Sequence, residues 1–123
     1  MRRLLSNCGI LSDGDTEYRY IKKGYLAIDG DTITYIGESK PDGEFDQIKD
    51  MTGKLLIPGL VNTHTHSPMC LLRGIGSDLP LQNWLFDKVF PIEDRMTKED
   101  ILAGSQLAIL EMLACGTTSF SDM

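Results

Sequence analysis

The sequence has few of the features that mark specialised protein classes. Its three cysteines, Cys8, Cys70 and Cys115, are widely spaced and include no C-x-x-C pair. Neither a disulfide framework nor a structural zinc knuckle is therefore expected. No apolar run approaches the roughly 20 residues of a membrane span, and no apolar stretch follows Arg2 and Arg3 as it would in a secretory signal. We expect a cytoplasmic protein.

Charge and composition exclude two further classes. The formal net charge is -6, and the twelve lysines and arginines are scattered instead of forming a basic stripe. This distribution argues against binding to nucleic acid. With 41% hydrophobic and 24% charged residues and no low-complexity tract, the chain has the composition of a globular protein and not of a disordered one.

The N-terminal part of the chain, residues 1–57, has the pattern of a small β domain. Residues 25–29 and 32–36 are rich in β-branched, aliphatic and aromatic side chains. The turn sequence Asp29-Gly30-Asp31 joins them, which predicts a hairpin. Further strands are predicted over residues 4–7 and 45–48.

Residues 58–123 show a βαβ pattern. Pro58 cannot donate to a sheet ladder and marks the expected domain boundary near residue 57. Thr97 and Asp100 have the spacing of a helix capping box. In chain order the pattern predicts a strand (60–66), a loop (67–79), a short helix (83–89), a longer helix (97–116) and a second strand (117–122). Two strands and one crossover helix cannot cover a parallel sheet, so we expect a fragment of a larger protein.

The only two histidines lie in the triplet His64-Thr65-His66, at the end of a predicted strand. Alternate side chains of a strand point to the same side, so both imidazoles can reach one ion. Imidazole is a good ligand for zinc, iron or nickel. An isolated His-x-His pair is more typical of hydrogen-bonded structural histidines. The C-terminal end of a strand, where α/β barrels place their sites, favours a metal site here.

The residues around this pair resemble a known family. The series begins with the sequence PGLVNTHTH and continues through Pro68-Met69, Leu71-Leu72-Arg73-Gly74, Trp84-Leu85, Pro91-Ile92-Glu93, Gly116-Thr117-Thr118 and Asp122-Met123. It closely resembles the opening of the metal-dependent amidohydrolase superfamily, in the branch of 5-methylthioadenosine/S-adenosylhomocysteine deaminases and related chlorohydrolases. The resemblance covers residues 55–123 well and the preceding β region more loosely.

The resemblance implies an α/β fold in which residues 58–123 form the N-terminal part of a (β/α)8 TIM barrel. Residues 1–57 would be part of a small β-sandwich. It also implies that His64 and His66 bind one divalent metal ion, with zinc the expected ion. The remaining ligands and the acid/base residues would come from later strands. No catalytic residue is therefore expected within this chain, and the fragment alone should be inactive.

Two further residues are expected to contact substrate. The resemblance implies that Glu93 accepts hydrogen bonds from the ribose hydroxyls, which two carboxylate oxygens can do. Beside Asp94 and Arg95, Glu93 could otherwise be a solvated charge. Trp84, the only tryptophan, could line the substrate pocket or belong to the core.

Several other polar residues near the histidines are expected to be structural. Cys70 could be a ligand or a nucleophile, but its apolar neighbours favour packing. Arg73 could contact substrate, but pairing with a carboxylate that fixes the loop is favoured. Gly74 and Gly76 would give this loop its unusual backbone geometry. Turn, surface or structural roles are expected for three acids, Asp78, Asp87 and Asp122.

The sequence thus predicts that the full-length form is a hydrolytic deaminase of S-adenosylhomocysteine, 5-methylthioadenosine or adenosine, using a metal-activated water. Another amidohydrolase, a guanine or cytosine deaminase or an s-triazine chlorohydrolase, is the alternative within this class. A non-catalytic remnant that serves as a binding module is the alternative from another class. The expected partner is a small nucleoside, not nucleic acid or a membrane, and the full-length enzyme could form a homo-oligomer.

Overall fold

The computed structural model describes residues 1–13 and 17–123. The chain divides into two compact units, Met1–Pro58 and Gly59–Met123. The architecture is mixed α/β, because the first unit is a β-sheet and the second contains helices between two parallel strands. Within the described residues, no helix has the length and apolar character needed to span a membrane.

The first unit is a five-stranded sheet in which β1 is central. Its strands are β1 (Arg2–Asp13), β2 (Tyr18–Asp29), β3 (Thr32–Gly37), β4 (Gln47–Asp50) and β5 (Leu55–Leu56). β1 and β2 are antiparallel, as are β2 and β3, whereas β4 and β5 run parallel to β1. Alternate residues of β1 are buried. The core cluster of the sheet consists of Cys8 and Ile10 of β1 and Ile21 and Leu26 of β2.

The structure confirms the predicted hairpin, but two strands of this unit have other bounds than predicted. β2 and β3 pair through Ile28 and Ile33, as the turn chemistry predicted. β1 is much longer than the predicted residues 4–7, because it pairs with β2 along its whole length. The strand predicted at residues 45–48 begins two residues later, at Gln47. Phe45 lies before it, and the guanidinium carbon of Arg2 is 4.9 Å from the centre of the Phe45 ring.

The second unit has the predicted strand, helix, strand order. Its elements are β6 (Leu60–Thr65), a 3₁₀ helix (Ser67–Leu72), α1 (Leu81–Trp84), a π-helical turn (Leu85–Val89), α2 (Phe90–Glu93), α3 (Lys98–Ala114) and β7 (Thr117–Asp122). β6 and β7 pair in parallel. The βαβ prediction is therefore confirmed.

Two local predictions in this unit were wrong. Residues 67–79 were expected to be a loop, but Ser67–Leu72 form a 3₁₀ helix with Pro68 in its first turn, where a missing N–H is tolerated. The helical segment expected at residues 83–89 runs on to Glu93, past Pro91. In a regular α-helix a proline clashes with the carbonyl four residues earlier, and the wider π-helical turn just before Pro91 accommodates it.

The start of α3 carries the predicted capping box. The Thr97 hydroxyl oxygen accepts the N–H of Asp100 at 3.2 Å, and the Asp100 carboxylate accepts the N–H of Thr97 at 2.9 Å. The hydrogen bonds from the backbone and hydroxyl of Thr97 hold the pKa of Asp100 below its usual range. The folded state therefore favours the charged form of this carboxyl group.

We expect the free energy of unfolding to fall as the pH drops below about 4. A carboxyl group whose pKa is lowered by folding contributes stability that is complete above its unfolded-state pKa and is lost as the pH falls through its folded-state pKa. Urea unfolding of the full-length protein between about pH 7 and pH 3 measures this loss. The free energy of unfolding of Asp100→Asn should depend less on pH than that of the parent. Glu99→Gln changes an exposed acid of the same turn, and its free energy of unfolding should follow that of the parent. Equal pH dependence of Asp100→Asn and the parent would contradict the assignment.

Candidate metal centre

The two histidines lie side by side at the C-terminal end of β6. His64 is in the strand, His66 follows it, and both side chains are exposed. Their ring centres are 5.4 Å apart, and the ring planes meet at 67°. Two imidazoles that bind one zinc ion through nitrogens at about 2.1 Å have ring centres roughly 5 Å apart. The donor pair therefore fits a shared metal ion.

An irregularity of the sheet lies directly beside His64. Asn62 pairs with Phe120 and Thr65 pairs with Asp122, so three steps along β6 match two along β7. This is the signature of a β-bulge, a feature that re-aims side chains next to active sites. The Asn62 side-chain oxygen accepts the N–H of His64 at 3.2 Å. The regular alternation from which we predicted the histidine pair is thus broken here, yet the rings lie together.

The residue after His66 is held from two sides. Ser67 is 2% exposed, and its N–H donates to Asp122 Oδ1 at 3.0 Å. Its hydroxyl contacts the other Asp122 oxygen and lies 3.3 Å from Ser105 Oγ of α3. The hydrogen bonds from the Ser67 hydroxyl and N–H, with a smaller contribution from the N–H of Met123, hold the pKa of Asp122 below its usual range. These contacts fit the structural role expected for Asp122, which stays a prediction.

Arg73, Gly74 and Gly76 fix the loop that follows the 3₁₀ helix. Arg73 donates to both carboxylate oxygens of Glu111 on α3, at 3.0 and 2.7 Å. These hydrogen bonds raise the pKa of Arg73 and lower that of Glu111. The predicted carboxylate pairing is therefore confirmed. Gly74 and Gly76 have φ angles of +83° and +70°, which confirms the backbone geometry expected for them.

The positions of Cys70, Asp87 and Asp78 fit the structural or surface roles expected for them. The Cys70 thiol is half-buried and donates to the carbonyl oxygen of Gly104 at 3.0 Å. Asp87 accepts a hydrogen bond from the Asn83 side chain at 3.1 Å, within the helical segment. Asp78 is exposed in the loop before it.

Trp84 and Glu93 lie on the helical segment of residues 81–93, and both are half-buried. The indole N–H of Trp84 donates to the carbonyl oxygen of Ile75 at 2.9 Å, which braces the loop. Glu93 is the last residue of α2. Neither role in substrate binding is tested by these contacts, so both stay predictions.

The histidine pair is not joined by a third potential metal ligand among the residues that the structure describes. Within residues 1–13 and 17–123, no three His, Cys, Asp or Glu side chains form a group that could hold a metal ion. An open cleft of about 340 Å³ in the second unit includes neither histidine, Trp84 nor Glu93. It is lined by Leu71, Leu72, Ile75, Ile92, Arg95, Met96 and Asp100.

Residues 55–123, more than half of the chain, match the sequence profile of the Amidohydrolase family. The chain belongs to the amidohydrolase family. A 5-methylthioadenosine/S-adenosylhomocysteine deaminase of Syntrophomonas wolfei is 48% identical over 124 residues, which cover 100% of this chain and 28% of that protein. A deaminase of the same name from Bacillus cereus is 50% identical over 105 residues, which cover 84% of this chain and 24% of that protein.

Two solved structures share the fold of this chain. An atrazine chlorohydrolase from Arthrobacter aurescens, complexed with zinc, matches with a TM-score of 0.83 at 23% identity. A guanine deaminase from C. acetobutylicum, with guanine bound, matches with a TM-score of 0.75 at 22% identity. The matches cover 98% of this chain, and 28% and 29% of those chains. The chain thus spans about a quarter of the length of the proteins that it matches, between 24% and 29%.

Proposed function

We propose that the full-length protein is a metal-dependent hydrolase of C–N bonds that deaminates adenosine-like nucleosides, such as S-adenosylhomocysteine, 5-methylthioadenosine or adenosine. The observation that carries this proposal is the pair of exposed imidazoles, 5.4 Å apart, at the C-terminal end of β6. The names of the relatives at 48% and 50% identity support the substrate class.

The fold proposed for the full-length form is a (β/α)8 barrel, begun by residues 58–123, with a β-sandwich that includes residues 1–57. Parallel sheets are normally covered on both faces. Here Leu60 and Val61 of β6 are 51% and 65% exposed, and Leu110 and Leu113 of α3 are 64% and 58% exposed. Further strands and helices of a barrel would cover this apolar surface.

His64 and His66 would hold the metal ion through two ring nitrogens. Zinc in the structurally similar chlorohydrolase supports zinc as the ion. When bound, a divalent ion would supply a water of lowered pKa for attack on the ring carbon that carries the amino group. Because both imidazoles are exposed at a strand end, they can present this centre to a substrate. Further ligands and the proton-transferring groups are expected from later strands.

Glu93 would bind the sugar of the nucleoside. Its carboxylate offers two acceptor oxygens to the two ribose hydroxyls, and its half-buried position at the end of α2 suits such a contact. Trp84 would line the same pocket with its aromatic face, while its indole N–H donates to the carbonyl oxygen of Ile75. Cytoplasmic location and homo-oligomeric assembly stay predictions from the sequence.

Ammonia release by the full-length protein tests the proposed activity. We expect turnover of S-adenosylhomocysteine, 5-methylthioadenosine or adenosine, and its loss when a chelator removes the metal. Turnover of guanine or cytosine, or chloride release from an s-triazine, in place of nucleoside turnover would support the alternative amidohydrolase. A metal-free protein that turns over none of them would support the non-catalytic remnant.

Replacing Glu93 should separate nucleosides from free bases. Glu93→Gln is expected to lower kcat/KM for the nucleoside about 10- to 100-fold, because each hydrogen bond to a charged group contributes roughly 1.5–3 kcal/mol. Turnover of any accepted free base should change little, since it has no ribose. The neighbouring change Asp94→Asn, at an exposed acid, is the matched control and should have no effect. Equal losses for nucleoside and free base would refute ribose binding by Glu93.

A further inference from the structure

One carboxylate from a neighbouring strand holds the backbone next to the histidine pair. Asp122, the last residue of β7, accepts the N–H of Ser67 at 3.0 Å with one oxygen and contacts the Ser67 hydroxyl with the other. Ser67 directly follows His66 and is 2% exposed. These contacts fix the residue next to one of the proposed metal ligands.

The directions of these hydrogen bonds follow from the chemistry of the groups. An ionised carboxylate can only accept, so the hydroxyl proton of Ser67 points to Asp122. With its single proton used there, the Ser67 oxygen accepts the hydroxyl proton of Ser105, 3.3 Å away on α3. Ser67 is therefore held by β7 and α3 at the same time.

His66 stands where a capping side chain would normally be. The residue before a helix usually offers a side-chain oxygen to the first free N–H groups. An imidazole has no such oxygen, and His66 makes no side-chain capping hydrogen bond to the 3₁₀ helix that begins at Ser67. Asp122 of β7 accepts the N–H of Ser67, the first residue of this helix. The His66 ring is thus left available for another partner.

We propose that Asp122 is a positioning residue of the metal site, which holds Ser67 so that the imidazole of His66 stays beside that of His64. The proposal rests on the proposed function, because it concerns the same two ligands. It requires no contact between Asp122 and either the metal or the substrate. Groups that hydrogen-bond directly to a metal ligand change metal affinity about 10- to 100-fold when they are removed. Asp122 acts one residue away, through Ser67, so we expect an effect at the lower end of this range.

Zinc affinity of the full-length protein, measured by competition with a coloured chelator, tests this role. Asp122→Ala should weaken zinc binding about 10-fold. Asp122→Asn should retain most of the affinity, because its amide oxygen can still accept the Ser67 N–H. Ser67→Ala removes only the hydroxyl contact and should cause a smaller loss. Glu111→Gln is the control. It removes the ion pair between Arg73 and Glu111 of α3 and should leave zinc affinity unchanged.

Cobalt substitution adds a readout that a general loss of stability would not change. At saturating Co²⁺, the visible spectrum of Asp122→Ala should differ from that of the parent, because the two imidazoles would be oriented differently. Unchanged zinc affinity and spectrum in Asp122→Ala would overturn the proposal. Equal losses in Asp122→Asn and Asp122→Ala would also overturn it, because the negative charge and not the hydrogen bonds would then be responsible.

Failure of the proposed function gives a different result. If the parent binds no zinc, or if His64→Asn binds zinc as tightly as the parent, the histidine pair is not a metal site and both proposals are wrong. If the parent binds zinc through the histidines and Asp122→Ala does so equally well, only the positioning role is wrong.

Discussion

Replacing His64 or His66 by asparagine is expected to remove the bound metal from the full-length protein and to lower kcat by at least about 1,000-fold. Asparagine is close to histidine in size but has no imidazole nitrogen, so the ion would lose one of its ligands. Lewis-acid assistance is worth several kcal/mol of transition-state stabilisation, and each 1.4 kcal/mol is tenfold in rate. Metal content by elemental analysis and ammonia release measure the two effects.

The control for this prediction is a change on the same strand that leaves both imidazoles in place. Thr63 is exposed on β6, and Thr63→Val should keep the metal content and most of the activity. A variant at His64 or His66 that retains a full complement of metal would show that the pair is not the ligand set. Loss of metal in the histidine variants alone assigns the ion to these two rings.

Features held by short-range interactions were predicted well from the sequence. The hairpin between β2 and β3 is closed by its own turn residues, and the capping box joins Thr97 to a residue three positions later. The chemistry of such contacts is contained in a few neighbouring letters. The helix α3, the strand β7 and the parallel βαβ order follow in the same way from residue type and periodicity.

Features that depend on distant residues were predicted incompletely. Asp122 was expected to be structural, but its partner Ser67 lies 55 positions away in the sequence, and only the fold brings the two together. The bulge beside His64 depends on how β6 pairs with β7, which no local pattern records. The 3₁₀ helix after His66 is too short to produce a periodic signal, and its proline favoured the loop interpretation.

The histidine pair itself was predicted for a reason that the structure only partly retains. Strict alternation places residues 64 and 66 on one side of a regular strand, but the strand ends at Thr65 and carries the bulge. The rings are nevertheless neighbours, while Asn62 engages the backbone at His64 and Asp122 engages the backbone after His66. Side-chain hydrogen bonds to the backbone thus accompany the departure from regular strand geometry.

The packing of the 3₁₀ helix against α3 leads to a prediction in which two effects oppose each other. Gly104 is buried in α3, and a Cβ atom there would lie 2.7 Å from the carbonyl oxygen and 3.0 Å from the Cα of Pro68. Helix propensity alone would make Gly104→Ala stabilising by about 1 kcal/mol. Overpacking against backbone atoms costs about 1–3 kcal/mol. Since the backbone of Pro68 cannot rotate away as a side chain could, we expect the clash to dominate.

Gly104→Ala should therefore lower the free energy of unfolding of the full-length protein by up to about 2 kcal/mol, measured by urea denaturation. Because Pro68 is two residues from His66, zinc affinity should fall as well. Gln106→Ala, at an exposed position of the same helix, should be neutral or slightly stabilising. If Gly104→Ala were instead stabilising by the full helix-propensity difference, the 3₁₀ helix would not be packed against α3 at Gly104. Unchanged zinc affinity in a destabilised Gly104→Ala protein would show that the histidine pair is held independently of this packing.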